Sequence, residues 1–314
     1  MLKPKVSIIG AGCVGMRYAY SLMLANLARS IVIVDIDKKR LEGEVMDLAS
    51  CMPFVSPVDI VAGDYPDLKD SDIVVITVGA KQAPGESRLE LAKQNVDIYK
   101  NIIPKIMEYA KDAIFLIVTN PVDVLSYAAY KISQKPWHEV IGSGTVLDSA
   151  RLRLLLSRHC NIDARNVHAY ILGEHGDSEF PVWSRAAIGG ILFKDYCPMC
   201  SDKCDVKATL SGIFSEVKNF AYKVIERKGE TSYGVGLALT RITSAILKDE
   251  NSILPVSSFI DNYYDVENVY MSIPAVVHKN GIRELLKVEL APEEKVCFQK
   301  SAKLIKEVIA SSGL

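Results

Sequence analysis

Five short apolar runs rich in β-branched residues punctuate the first 145 residues: KVSIIG (5–10), SIVIVDI (30–36), DIVVITVG (72–79), AIFLIVTN (113–120) and EVIGSGT (139–145). Such near-continuous hydrophobicity suits strands covered on both faces, as in a parallel sheet. VDIVAGD (58–64) is a weaker candidate strand, and amphipathic stretches at 14–28, 38–50, 88–110 and 121–134 read as helices. This alternation predicts a doubly wound α/β unit, whose ligands gather beyond the carboxyl ends of the strands.

The second half breaks the pattern. Helix candidates fall at 148–159, 207–228 and 231–247, and NVHAYILGEHG reads as strand into loop. SILPVSSFI and NVYMSIPAVV look like antiparallel strands, followed by a turn at Asn280–Gly281. A last helix starts at APEEK, with Pro292 suited to its first turn. The 314 residues are therefore expected to form a parallel α/β domain over 1–145 and an α+β domain over 146–314.

Composition narrows the function. A net charge of −1 gives no basic field for nucleic acid, and no apolar run reaches the ~20 residues of a membrane span. MLKPKVSIIG enters a strand-like run at once, so no signal peptide is expected, and a cytoplasmic protein with its seven cysteines reduced follows. The group Cys197, Cys200 and Cys204 reads as a surface loop rather than a zinc site, because no second Cys/His pair lies nearby to complete four ligands. No metal is expected.

GAGCVG follows the first strand directly and opens a helix. Gly10 allows a tight turn, Gly12 lets backbone approach a pyrophosphate, Gly15 allows close helix–strand packing, and the helix N-terminus offers N–H groups to phosphate. Asp35 lies 20 residues after Gly15, at the end of the second strand. A carboxylate there accepts hydrogen bonds from a ribose 2′-hydroxyl and repels a 2′-phosphate. The pair predicts a Rossmann-type fold that binds NAD rather than NADP, with Lys38, Lys39 and Arg40 as a solvated helix start.

Four further segments carry polar chemistry. GAKQAPGESR (79–88) leaves the fourth strand on a Pro84–Gly85 turn and presents Gln82 and Arg88; TNPVD (119–123) ends the next strand in the same topological position. DSARLR (148–153) sets Asp148 and Arg151 three apart, so both can face one pocket from a helix. GEHGDSEFP (173–181) puts His175 between two glycines, with Glu174, Asp177 and Glu179 close by.

With GAGCVG, VDID, ITVGAKQAPGESR, VTNPVD, DSARLR and GEHGDSEFPVWS in this order, the chain resembles the L-lactate/malate dehydrogenase family over essentially its whole length. The resemblance implies hydride transfer between a nicotinamide and a 2-oxo acid. In it His175, paired with Asp148, is the proton donor and acceptor, and Arg151 grips the substrate carboxylate. Arg88, on a closing loop, polarises the carbonyl, and Asn120 holds substrate and histidine. Val14, Arg40, Tyr65, Gly79, Ala80, Asn101, Thr119 and Asn120 fall with the cofactor-lining positions. The chemistry asks for these types independently: charge developing on the carbonyl oxygen needs a nearby acid and a cation in a site closed to water. A protein that only senses NADH would have no need of Asp148, Arg151 and His175 together.

Gln82 bears on the substrate. Malate members usually carry arginine there for the second carboxylate of oxaloacetate, which a neutral amide would leave unpaired. Glu86, and Thr231 beside the substrate methyl, also resemble lactate members, so pyruvate/L-lactate is the expected pair; Lys81 keeps oxaloacetate as the alternative. Arg153 and His168 match the positions that bind fructose 1,6-bisphosphate in allosteric bacterial members. The chain lacks the long N-terminal arm of vertebrate members, and a homotetramer is the family expectation.

Overall fold

The computed structural model describes residues 4–80, 88–200 and 205–314; at 88 and 197–200 it is the backbone that is described. In the first half β1 (Lys5–Ile9), α1 (Cys13–Leu24), β2 (Ser30–Val34), α2 (Lys38–Ser50), β3 (Asp59–Ala62), β4 (Ile73–Ile76), α3 (Arg88–Ala110), β5 (Ile114–Ile117), α4 (Val122–Ser133) and β6 (Val140–Gly142) follow one another. Their six strands are parallel in the order β6-β5-β4-β1-β2-β3. Chain order reverses between β1 and β4, which opens a crevice at their carboxyl ends.

The unbroken apolar runs have a direct physical reading. Ile73 and Val75 feed a core on one face of the sheet, and Val74 and Ile76 feed a second core on the other. Every residue of β4 and of β5 is buried, so polar alternation has no place in either strand.

The second half comprises α5 (Val146–Cys160), β7 (Val167–His168), β8 (Ile171–Leu172), β9 (Phe180–Pro181), β10 (Ala187–Ile188), β11 (Ile191–Leu192), α6 (Phe193–Cys200), α7 (Val206–Lys228), α8 (Tyr233–Leu247), β12 (Ser252–Ile260), β13 (Val269–His278), β14 (Gly281–Leu285) and α9 (Pro292–Ser311). β12, β13 and β14 form an antiparallel meander, with the expected turn before Gly281. They do not form a separate sheet, however. Ser257 of β12 pairs with Gly142 of β6, which joins the meander to the parallel strands in one nine-stranded sheet. A Cβ at Gly142 would lie 2.5 Å from Ser126 Oγ and 2.6 Å from Ser257 Cβ, so glycine is what lets β12 close on that edge. α8 likewise returns to the first half: Tyr18 Oη of α1 and Thr243 Oγ1 of α8 share a buried hydrogen bond of 2.7 Å.

One expectation is corrected. Cys197 and Cys200 lie on the last turns of α6, not on a loop, because helical periodicity runs on from Phe193; Cys204 lies outside the described residues. Among the described residues no helix is long and apolar enough to cross a membrane.

The β6–α5 junction sets where α5 begins. Gly144 has φ +54°, and a Cβ there would lie 2.4 Å from Ser257 N and 2.8 Å from Pro255 O. Gly144→Ala is therefore expected to cost about 3 kcal/mol in urea denaturation, from left-handed strain and from displaced β12 backbone. A loss below about 0.5 kcal/mol would contradict this packing.

Candidate active site

The cofactor crevice starts at the β1–α1 turn. Gly10 adopts φ +114°, and a Cβ on Gly15 would sit 2.0 Å from Gly10 O, so the turn closes only with glycine at 15. Gly12, the N-cap of α1, is different: its φ of −73° suits any residue, and a Cβ there would meet nothing within 4 Å. Its lack of a side chain serves the open side of the turn, where free N–H groups begin α1. Asp35 stands at the end of β2. Its Oδ2 accepts from Ala11 N at 2.7 Å and its Oδ1 from Asp37 N at 3.0 Å, so the carboxylate fixes the glycine turn against β2. An open glycine cradle, a helix start and an adjacent carboxylate fit the diphosphate and ribose of a dinucleotide.

The loops after β4 and β5 form the next wall. A Cβ on Gly79 would lie 2.3 Å from Thr119 Cγ2, and Thr119 Oγ1 donates to Val78 O at 2.7 Å. Asn95 of α3, which the sequence did not single out, ties the two together. Its Oδ1 accepts from Ala80 N at 2.7 Å, and its Nδ2 donates to Asn120 O at 2.8 Å. Val14 packs half-buried on the core beneath α1, and Tyr65, after β3, has Lys105 Nζ 5.5 Å from its ring centroid. Arg40 and Asn101 sit apart from these contacts: Arg40 pairs at 3.5 Å with Glu44, and Asn101 Nδ2 donates to Asp97 O on its own helix at 2.8 Å.

Beyond this wall lies a cavity of about 240 Å³, lined by Asn120, Asp148, Arg151, His175 and Glu179, with α7 opposite. Asp148, in the first turn of α5, is buried at 3% exposure between two cations. His175 Nδ1 lies 2.6 Å from its Oδ2, and Arg151 Nη1 donates to its Oδ1 at 2.9 Å. The spacing of three thus produces a buried pair, not a solvated surface one. Phe220 of α7 stacks on the Arg151 guanidinium at 5.2 Å.

Burial alone would raise the Asp148 carboxyl, but the charges and hydrogen bonds of His175 and Arg151 outweigh it and hold it below the usual carboxylate range. Burial would lower His175, yet the charge and hydrogen bond of Asp148 overcome that and raise it to about 9. The imidazole is accordingly protonated at neutral pH. With Nδ1 on Asp148, Nε2 is the nitrogen left for a reactant.

The His175 loop is held from three directions. Gly173 and Ser272 of β13 exchange backbone hydrogen bonds of 3.1 and 2.9 Å. Ser301 of α9 accepts from Glu174 N at 2.6 Å. From beneath, Asp123 Oδ2 accepts from His175 N at 2.8 Å while its Oδ1 accepts from Ser257 Oγ at 2.6 Å. Burial pushes the Asp123 carboxyl up to about 7. In the sequence Asp123 is visible only as an acid in the first turn of a helix that follows a strand end, and its hold on the His175 backbone arises from the fold.

Other expected residues are dispersed. Thr231 is half-buried between α7 and α8 and does not line this cavity. Arg153 and His168 line a separate one of about 530 Å³. Lys81, Gln82 and Glu86 lie outside the described residues, and Arg88 is described as the first backbone position of α3.

A dinucleotide cradle at the switch point of a doubly wound sheet, beside a carboxylate-supported imidazolium and a buried guanidinium, defines an NAD-dependent dehydrogenase of 2-hydroxy acids. Residues 4–142 match the NAD binding domain model of lactate/malate dehydrogenases, and residues 145–312 match that family's alpha/beta C-terminal domain. The chain belongs to the lactate/malate dehydrogenase family. It is 52% identical to an L-lactate dehydrogenase of Thermoanaerobacter sp. (strain X514), covering 97% of this chain and 98% of that one. It is 51% identical to an L-lactate dehydrogenase of Acetivibrio thermocellus, covering 97% and 96%. A crystal structure of a lactate dehydrogenase from a Medee basin deep-sea metagenome library superposes with a TM-score of 0.96 at 43% identity over 100% of both chains. The minor L-lactate dehydrogenase of Enterococcus mundtii does so with 0.95 at 37% over 98% of both.

Gly12 separates binding from folding. Gly12→Val is expected to keep the thermal midpoint while weakening NADH binding by about tenfold or more, or about 1.4 kcal/mol, in a fluorescence titration. Unchanged NADH affinity would show that the cradle lies elsewhere.

Proposed function

We propose that this chain interconverts pyruvate and L-lactate with NADH and NAD. The observation that carries the reading is the contact between His175 Nδ1 and Asp148 Oδ2, 2.6 Å, at the wall of a cavity that Arg151 also lines. A nicotinamide held in the glycine cradle would supply the hydride as NADH and, in the reverse direction, receive it as NAD. The residues do the rest. His175, protonated at neutral pH, gives its Nε2 proton to the oxygen that gains charge during reduction and recovers it in the reverse direction. Asp148 fixes the ring and stabilises its charge. Arg151 keeps one N–H on Asp148 and turns the rest of its planar fork to the substrate carboxylate. Arg88 polarises the carbonyl, and Asn120, anchored by Asn95, holds substrate and imidazole. Gln82, neutral, favours the methyl of pyruvate over the second carboxylate of oxaloacetate, whereas Thr231, off the cavity wall, takes no part in that choice. Relatives named L-lactate dehydrogenase at about half identity support the same choice.

The test compares NADH oxidation with pyruvate and with oxaloacetate, in the native protein and in His175→Asn. Pyruvate is expected to win by orders of magnitude. The variant is expected to lose at least about 10³-fold in kcat while binding NADH normally, as for removal of a positioned acid. Preference for oxaloacetate would mean a malate enzyme on the same machinery, and surviving turnover would refute the role of His175.

A second reading concerns regulation. Arg153 and His168 line the 530 Å³ cavity together with Arg241, and Arg153 Nε is buried with no hydrogen-bond partner among the described residues. Exposed Leu237 and Ile253 flank the same cavity. We propose a fructose 1,6-bisphosphate site there, completed by another subunit of a homotetramer, with cations sharing the phosphates. Millimolar bisphosphate is expected to lower the pyruvate KM several-fold, and Arg153→Gln to abolish the response. Identical saturation curves with and without it would remove the proposal.

A further inference from the structure

A carboxyl group that the proposed chemistry does not use stands inside the reaction cavity. Glu179 is buried at 7% exposure, and one side-chain N or O atom from each of Asp148, His175 and Glu179 lies within 4.8 Å of the other two. A turn fixes it there: Glu179 N donates to Gly176 O at 3.2 Å, and Phe180 enters β9 directly after it. Burial first, and the neighbouring Asp148 charge second, push its carboxyl up to about 8, so it carries its proton at neutral pH.

The charges around it can be placed one by one. α5 contributes Asp148 and Arg151, which pair with each other. The loop contributes His175, Glu174 and Asp177. Glu174 Oε2 accepts from Ser178 N at 3.2 Å, and Asp177 Oδ1 accepts from Tyr222 Oη of α7 at 3.1 Å. α7 also contributes Lys218, whose Nζ donates to Asp177 O at 2.7 Å. Asp123 of α4 lies behind the His175 backbone, with one oxygen on Ser257. Among the described residues that line the cavity, the cations His175, Arg151 and Lys218 are matched by the carboxylates Asp148, Glu174 and Asp177, so with Glu179 neutral the pocket carries no net charge. Ionised Glu179 would make it net negative before any monoanionic 2-oxo acid arrived, in a site where burial weakens screening.

We infer that Glu179 sets the charge of the substrate pocket: with its proton on, the pocket accepts the anionic 2-oxo acid, and with its proton off, the pocket rejects it. The inference rests on the proposed 2-oxo acid chemistry. It makes binding depend on two protons in alkaline solution, one on His175 and one on Glu179, which titrate as a coupled pair.

The test uses oxamate, an unreactive analogue of pyruvate, bound to the NADH complex between pH 7 and 10 and followed by NADH fluorescence. In the native protein the oxamate Kd is expected to steepen towards about 100-fold per pH unit at the alkaline end, the slope for two protons. Glu179→Gln, which keeps shape and removes the titration, is expected to show about tenfold per pH unit, the slope for one. Glu179→Asp is expected to restore the steeper slope, and NADH affinity at each pH is expected to match in all three proteins. Equal slopes in the native protein and Glu179→Gln would overturn the inference alone. Failure of the native NADH complex to bind oxamate at pH 7 would overturn the 2-oxo acid reading, and this inference with it.

Discussion

A carboxylate buried at 3% exposure cannot persist without compensation, and Asp148 obtains it from two sides at once, from an imidazolium and from a guanidinium. Much of the surrounding architecture answers the demands of that one charge. α5 must begin where it does, so the backbone at Gly144 turns through a left-handed conformation against β12. The His175 loop must reach across from another part of the chain, and β13, α9 and Asp123 hold it there. Arg151 must stay buried too, and the Phe220 ring covers it. Each supporting contact is ordinary; their convergence on a single carboxylate keeps the imidazole protonated and oriented.

The sheet links the glycine turn to the buried Asp148 pair. Gly10 and Asp35 lie at the carboxyl ends of β1 and β2, while Asp148 follows β6 on the same sheet, so the distance between them is fixed by backbone hydrogen bonds rather than by loops. Extension of the sheet by β12 through Gly142 adds Ser257, which holds Asp123 and thereby the His175 backbone. A residue of the second half thus helps place a side chain on a helix of the first.

What could be read in the sequence follows physical range. The parallel strands were legible because burial on both faces removes alternation, and the β1–α1 turn because a Cβ on Gly15 has nowhere to go. That Asp148 and Arg151 share a face was legible because helical spacing is local. The union of β6 with β12 was not, since it rests on one pairing between residues 142 and 257. Asn95 escaped notice for a similar reason: its two partners, Ala80 and Asn120, belong to loops that approach only in the folded chain. Asp123 and Glu179 were visible as acids near motifs, but their burial, which gives them unusual titration, is a property of the tertiary structure. The helical backbone at Cys197 and Cys200 was masked by a cysteine pattern that drew attention to ligands rather than to periodicity.

The contact from Glu174 N to Ser301 spans 127 residues and lies on the last helix of the fold. During synthesis the glycine turn, Asp35 and the parallel strands emerge early, and domains generally fold from the N-terminal side first. The glycine turn is closed by a contact that spans only 24 residues, from Ala11 N to Asp35, so its seat is local in the chain. The loop that carries the imidazole has no Ser301 to settle on until α9 has packed, so its seat is among the least local of the site.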